Sequence, residues 1–176
     1  MKPFFLEANT IADAWFQLLW NIFDNSYTQK IQKGSFEKEQ YRLQYPGIGV
    51  YIKYPDQDMV PVIPPHLNLP VPCTKESVED CFVNYLMDPE LPCLRLLDFK
   101  AIPAGDGLAL TVTCHFRSWD LWAGFPTNLG GIELLKQYVA RETGLKNGPM
   151  YAYSAGAHIY GYQEEIARIR TMRRES

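Results

Sequence analysis

Between Cys93 and Asn128 the sequence supplies a thiol (Cys93), a guanidinium (Arg117), a hydroxyl (Ser118), a carboxylate (Asp120) and a carboxamide (Asn128). Toward a nucleotide these groups have separate uses: nucleophilic attack, phosphate binding by the guanidinium and hydroxyl, ring or cofactor contact, and base reading. Cysteine suits reversible addition because its thiolate is within reach of neutral pH when a cation lies close. A free thiol titrates near about 8.5, so Arg117 as a neighbour would raise the reactive fraction. A carboxamide donates and accepts at once, the property a pyrimidine edge asks for. Taken singly each residue has a plainer use. An isolated cysteine is commonly a buried packing residue, and an arginine at a strand end is an ordinary surface cation.

The elements around these groups give the combination its weight. Leu91-Pro92-Cys93 leads into a strand pair that turns at Ala104-Gly105-Asp106-Gly107. From Leu108 to Arg117 the alternation is clean: Leu108, Leu110, Val112, Cys114 and Phe116 share one face, and Ala109, Thr111, Thr113, His115 and Arg117 the other. Arg117-Ser118-Trp119-Asp120 follows as a loop, and Gly124-Phe125-Pro126-Thr127-Asn128 closes the stretch. A helix is then predicted from Leu129 to Thr143, with Ile132, Leu135, Tyr138 and Val139 inward and Gly144 as its C-cap. Lys146-Asn147-Gly148 reads as a turn, Tyr151–Ser154 as a short strand, and Ala157–Tyr160 as a second extended piece. A last helix carries Ile166, Ile169 and Met172. Its basic end (Arg168, Arg170, Arg173, Arg174) complements the helix dipole and reads as a solvated face.

Upstream, Thr10 and Asp13 open a helix whose buried face is Ile11, Ala14, Trp15, Leu18, Leu19 and Ile22. A strand is predicted at 48 to 54. Prolines 55, 61, 64, 65, 70 and 72 then exclude helix interior and central strand, so this segment runs extended over the surface, with Leu67, Leu69 and Val71 alternating as packing residues. Thr74 caps a helix to about Leu86 with Val78, Cys81, Phe82 and Tyr85 inward, stopped by Pro89 and Pro92.

The composition bounds the function. With 176 residues the chain is read as a single domain, 1–176, and hydrophobic and charged fractions of 47% and 21% are those of an ordinary globular protein. A net charge of −3 gives no electrostatic reason to expect a nucleic-acid polymer as partner. No apolar run approaches the roughly 18 residues of a membrane span. Cys73, Cys81, Cys93 and Cys114 form no C-x-x-C pair, so no metal site is expected, and scattered cysteines fit a reduced, cytoplasmic protein.

Pro92-Cys93, Arg117-Ser118-Trp119-Asp120, Gly124-Phe125-Pro126-Thr127-Asn128 and His158-Ile159-Tyr160, in that order, resemble the motifs of thymidylate synthases, in particular their archaeal members. Each motif is weak alone; four in order, with thirty positions separating Asn128 from His158, are specific. The resemblance covers about Leu91 to Ile169, and Ile11 to Ile22 is similar to the family's first helix. It implies an α+β fold, a twisted mixed sheet with helices packed on one face, and a homodimer formed through the other face. It also implies Cys93 as nucleophile toward dUMP, Arg117 and Ser118 on the 5′-phosphate, and Asp120 between the uracil and the folate side. Gly124 leaves room for the ring, Asn128 reads it, and His158 and Tyr160 hold the 3′-hydroxyl. The cofactor implied is 5,10-methylenetetrahydrofolate. Related cytosine hydroxymethylases carry Asp at the position of Asn128, which favours uracil here.

The sequence also departs from the family. The paired-arginine loop expected before the nucleophile has no counterpart: Arg42 is the sole arginine upstream of Cys93, so phosphate binding would fall to it or to the arginine-rich tail. The C-terminal strands and folate-capping tail are not found either. Two readings stay open: a thymidylate synthase-like methyltransferase, or a non-catalytic homodimeric relative keeping the pocket for nucleotide binding or assembly.

Overall fold

In a computed structural model, residues 2–31, 40–86 and 93–173 are described. Pro92 of the Pro-Cys motif, the helix stops at Pro89 and Pro92, and Arg174 lie outside them. The first strand, β1 (Phe4–Ala8), gives way to α1 (Ile11–Asn25) where Thr10 Oγ1 accepts the N–H of Asp13 and the Asp13 carboxylate accepts that of Asn9. The inner face of α1 is the predicted set, Ile11, Ala14, Trp15, Leu18, Leu19 and Ile22, all buried. A hydrogen bond from Trp15 Nε1 to the Trp122 carbonyl at 3.0 Å joins this face to the distant loop before the third helix.

Nine strands form two sheets among the described residues. Beside β1 stand β4 (Ile48–Ile52), β8 (Lys146–Ser154), β6 (Gly107–Phe116) and β5 (Leu94–Ala104), in that order, with parallel β1/β4 and β6/β8 pairs and antiparallel β4/β8 and β5/β6 pairs. The hairpin between β5 and β6 turns where expected, with Gly105 at φ +62, a conformation open to glycine. The second sheet runs β2 (Tyr27–Lys30), β3 (Tyr41–Gln44), β9 (Ala157–Tyr160), β7 (Trp119–Asp120). The two sheets are continuous in a specific sense. The parallel pair β6/β8 reaches Phe116 opposite Ser154, and the same two chains resume pairing as β7/β9 with Trp119 opposite Ala157. Hydrogen bonds from Ala155 N–H to the Phe116 carbonyl and from Trp119 N–H to the Gly156 carbonyl stitch the break. The third chain does likewise: β3 passes through Tyr45-Pro46-Gly47 into β4, with Tyr45 N–H on the Ala157 carbonyl. Three neighbouring chains therefore kink at one level, which bends the surface there.

The stripe Leu110, Val112, Cys114 and Phe116 is buried against the helices; Leu108, at the hairpin end, is not. It joins Ile48, Val50, Ile52, Met150 and Ala152 under α1 and α3 (Gly124–Thr143). The fold is thus α+β, a mixed sheet with helices on one face. A short α2 (Lys75–Asp80), capped reciprocally by Thr74 and Ser77, widens into a π-turn over Cys81–Tyr85, and α4 (Gly161–Thr171) packs on α1 and the second sheet.

Several expectations need correction. The third helix begins at Gly124, five residues early, because Pro126 falls in its first turn, where a missing N–H costs nothing. Its inner face is Leu129, Ile132, Glu133, Lys136 and Ala140, while Tyr138 is exposed. Lys146-Asn147-Gly148 is the start of β8 rather than a turn, since Gly144 at φ +68 reverses the chain immediately. In α4 the residues turned inward are Gln163, Ala167 and Thr171; Ile169 and Met172 face out. In the proline segment Leu67 is half-buried and Leu69 packs on the core, but Val71 is exposed.

Candidate active site

The site residues gather where the three chains kink. Cys93 immediately precedes β5, and its carbonyl accepts the N–H of Arg117 at 3.0 Å, so the thiol-bearing residue and the guanidinium-bearing residue stand side by side across adjacent strands. Ser118 is half-buried in the kink, and Asp120 follows in β7. There Asp120 pairs with His158 of β9; on the other flank of β9, Gln44 pairs with His158 and Arg42 with Tyr160. The described residues of the four motifs, scattered over nearly seventy positions of sequence, thus meet on two short strands, the ends of two longer ones and the first turns of α3.

The electrostatics agree with this grouping. Burial pushes the Tyr160 phenol up, and Asp120 adds to that; Arg42 pulls the other way, and Cys93 also raises it. Burial holds the His158 imidazole below its ordinary range, opposed by the Gly156 carbonyl that meets Nδ1 at 3.2 Å, with Arg42 lowering it and Asp120 raising it. Asp120, Arg42 and Cys93 therefore lie within Coulombic reach of Tyr160, and Asp120 and Arg42 within reach of His158. The His158 ring, set edge-on to Tyr160 at 4.9 Å, leaves its buried Nε2 without a protein partner, as is the buried Oε1 of Gln44 on the facing strand. Two unpartnered polar atoms on paired residues ask for a ligand or water that supplies hydrogen.

Among the four cysteines, Cys73, Cys81 and Cys114 are buried. Burial pushes the first of these thiols up to about 11 and raises the other two as well, which suppresses the thiolate. Cys93 is the partly exposed one.

The start of α3 is built from Asp120. Its Oδ1 accepts the N–H of Trp122 and its Oδ2 those of Ala123 and Gly124, at 3.2 to 3.3 Å. The carboxylate thus holds the turn that leads into the helix and satisfies the first of the N–H groups the helix start leaves open, that of Gly124. Asn128 lies one turn further on, with Oδ1 accepting from Trp119 Nε1 at 3.2 Å. A methyl group at Gly124 would meet Asp120, Asn128 and Trp119 at 3.5 to 3.8 Å, ordinary contacts, so packing within the protein does not require glycine there.

The sequence offers Arg42 and the arginine-rich tail as alternative substitutes for the absent arginine loop; the pairing of Arg42 with Tyr160 puts it at the site, where Gln29 Oε1 accepts from its Nε and Nη2. The tail arginines are engaged elsewhere. Arg168 pairs with Glu164 and stacks on Phe23, Arg170 lies over Phe16 and Trp15, and Arg173 forms two bonds to Asp24 and one to the Trp20 carbonyl. They are fixed on the aromatic side chains of α1 rather than simply solvated. Among the described residues no group of His, Cys, Asp and Glu could hold a metal ion, and no helix is long and apolar enough to cross a membrane.

A model of the family described as thymidylate synthase matches residues 83–176, more than half of the chain. The chain belongs to the thymidylate synthase family. Proteins named "Putative thymidylate synthase" from Methanosarcina barkeri and Methanococcoides burtonii are similar to it, 41% identical over 77 residues and 40% over 81. Those matches take in 44% and 46% of this chain but 34% and 36% of the relatives, so the matches span about a third of the length of these two relatives. Its fold is that of thermostable thymidylate synthase A from Bacillus subtilis, with a TM-score of 0.63, covering 96% of this chain and 86% of that one at 12% identity.

Proposed function

We propose that the chain methylates dUMP to dTMP as a thymidylate synthase-like methyltransferase, with Cys93 as nucleophile. What supports this most is the placement of Cys93: the one partly exposed thiol, beside Arg117 and within electrostatic reach of Tyr160. C6 of uracil is a weak electrophile conjugated to the C4 carbonyl. The Cys93 thiolate gives its lone pair to C6; the C5–C6 π pair moves toward C5 and O4, making C5 a carbon nucleophile. Asn128, through N3–H and O4, would hold the ring as charge builds on O4. Once C5 carries its methyl group and its proton has passed to water, the C5–C6 double bond reforms and expels the thiolate unchanged. Arg117 and Ser118 would hold the phosphate with Arg42 supplying the second cation, and His158 and Tyr160 the 3′-hydroxyl.

Methylenetetrahydrofolate, when bound, supplies both the carbon and a hydride. Asp120 has about four acceptor positions, three of them taken by backbone N–H groups, so about one remains for a pterin N–H. The fit is to that contact.

The expected homodimer would use the open sheet face. There Phe5 is 71% exposed, and with Tyr51, Tyr151 and Tyr153 it lines a hollow of about 510 Å³. An aromatic sheet face of this kind is where a second copy gains most by covering it.

The deciding experiment is intact mass spectrometry after incubation with 5-fluoro-dUMP and methylenetetrahydrofolate. A covalent adduct that vanishes in Cys93→Ala is expected. Absence of adduct at millimolar nucleotide would reject the catalytic reading and leave the non-catalytic homodimer.

A further inference from the structure

A tryptophan between Ser118 and Asp120 has no evident use in holding a nucleotide, yet it is 2% exposed and tightly held. Its indole stacks on Phe116 at 4.0 Å with the ring planes 13° apart, and Phe125 packs on it, tilted by 43°, at 4.7 Å. The ring has no freedom to turn, so its N–H points in a fixed direction, to Asn128 Oδ1. An indole nitrogen only donates, which decides that the oxygen end of the carboxamide faces it. The other end is also held: Asn128 Nδ2 lies 3.6 Å from Cys81 Sγ. That sulfur is delivered by the π-turn, which can approach α3 this closely because position 131 is glycine; a Cβ there would come within 2.9 Å of it.

We propose that Trp119, with Cys81 opposite, sets the orientation of the Asn128 carboxamide, so that the site selects a pyrimidine with N3–H and a carbonyl at C4. The inference rests on the reading of Asn128 as the base-contacting residue. After the two internal bonds, Oδ1 retains one lone pair and Nδ2 one N–H. That pair matches a ring donating from N3 and accepting at C4, as in uracil. Cytosine presents the reverse, an acceptor at N3 and an amine at C4. A free asparagine would rotate by half a turn and serve both rings. Rotated here, it sets its NH₂ against the indole N–H and strands a buried donor. Trp119 is therefore a positioning residue that acts through Asn128.

The test replaces Trp119 in the full chain with 3-benzothienylalanine, which keeps the fused ring and exchanges the N–H for sulfur, alongside Trp119→Phe. Binding of dUMP and of dCMP is measured by titration calorimetry for wild type and both variants, with thermal melts to establish folding. The expected result is a wild type that prefers dUMP and variants whose preference is reduced about tenfold, the worth of one hydrogen bond. The benzothienyl variant carries the test should the phenylalanine variant fail to fold. A dUMP preference unchanged in a folded variant overturns the role of Trp119 and leaves the uracil site standing. A wild type that binds dUMP and dCMP equally, or neither at millimolar concentration, overturns the reading of Asn128 itself, and this inference with it.

Discussion

Lys136→Met should lower stability at pH 7 by about 3–5 kcal/mol, the usual consequence of leaving a buried charge without its partner. Glu133 and Lys136 stand one turn apart on the inner face of α3, wholly buried, 2.9 Å apart. Asn147 and Gln137 donate to Glu133 Oε1 at 2.7 and 3.1 Å, and Lys136 Nζ also donates to the Gly148 carbonyl. The pair thus ties α3, which carries Asn128, to the first residues of β8. Burial pushes the Glu133 carboxyl up and the Lys136 ammonium down, and each charge restrains the shift of the other. Without the ammonium that restraint goes, and the carboxyl escapes by taking a proton. Protonation at pH 7 costs about 1.4 kcal/mol for each unit above an ordinary glutamate value near 4.3, about 3.7 kcal/mol in all. This agrees with the buried-charge figure.

The pH dependence follows with a definite sign. In the variant the folded carboxyl titrates above the unfolded one, so between the two values the folded state holds the extra proton. Stability then falls as pH rises through that window and is recovered as pH drops. Urea unfolding of wild type and variant at pH 5 and 7 should show the penalty smaller at pH 5 by about 2–3 kcal/mol. At pH 7 the melting point should fall by about 6–20 °C, taking 2–4 °C per kcal/mol for a chain of this size. Glu133→Leu with Lys136→Met should recover most of the loss, because it removes both charges and fills the space. A penalty below about 1 kcal/mol, or one equal at the two pH values, would refute the picture of a charged pair sealed in the core.

Two further perturbations address the site and the assembly. Arg42→Met should weaken dUMP binding by about tenfold or more while leaving deoxyuridine binding unchanged in calorimetry, since a charge-assisted contact is worth about 1.5–3 kcal/mol and only the nucleotide carries the phosphate. Equal losses for both ligands would instead make Arg42 a support for Tyr160. Phe5→Glu with Tyr153→Glu should give a monomer by light scattering where the wild type is a dimer, because each copy would bury two unpaired carboxylates; a dimer that persists would place the interface elsewhere.

What the sequence made legible was local. The face of α1 is periodic enough to be read residue by residue, the alternation of β6 identified the stripe beneath the helices, and the Ala104–Gly107 turn was where its residue types put it. Glu133 and Lys136 could not be read as core, since an oppositely charged pair at i, i+3 has the signature of a solvent-facing helix surface. The start of α3 was hidden for a related reason: Gly-x-Pro looks like a breaker, and only Asp120 bonding to three consecutive N–H groups converts it into a helix start.

The kink was hidden more deeply, and the site depends on it. Tyr45-Pro46-Gly47, Arg117-Ser118 and Ala155-Gly156 each read as an ordinary break between extended pieces, and nothing local says that they lie side by side. Their alignment is a long-range pairing, fixed by the register of β6 with β8 and of β4 with β8. Once aligned, the short strands beyond the break bring Asp120 against His158 and Arg42 against Tyr160. Polar groups with a buried, unpartnered nitrogen and amide oxygen among them would be costly inside a continuous flat sheet. At a shared kink the ladder is already interrupted, and a bent surface can admit a ligand that pairs with those atoms. The same break that makes the second sheet hard to foresee therefore makes a polar site tolerable there, and it is what separates Arg42, which belongs to the site, from the tail arginines, which the sequence offers equally.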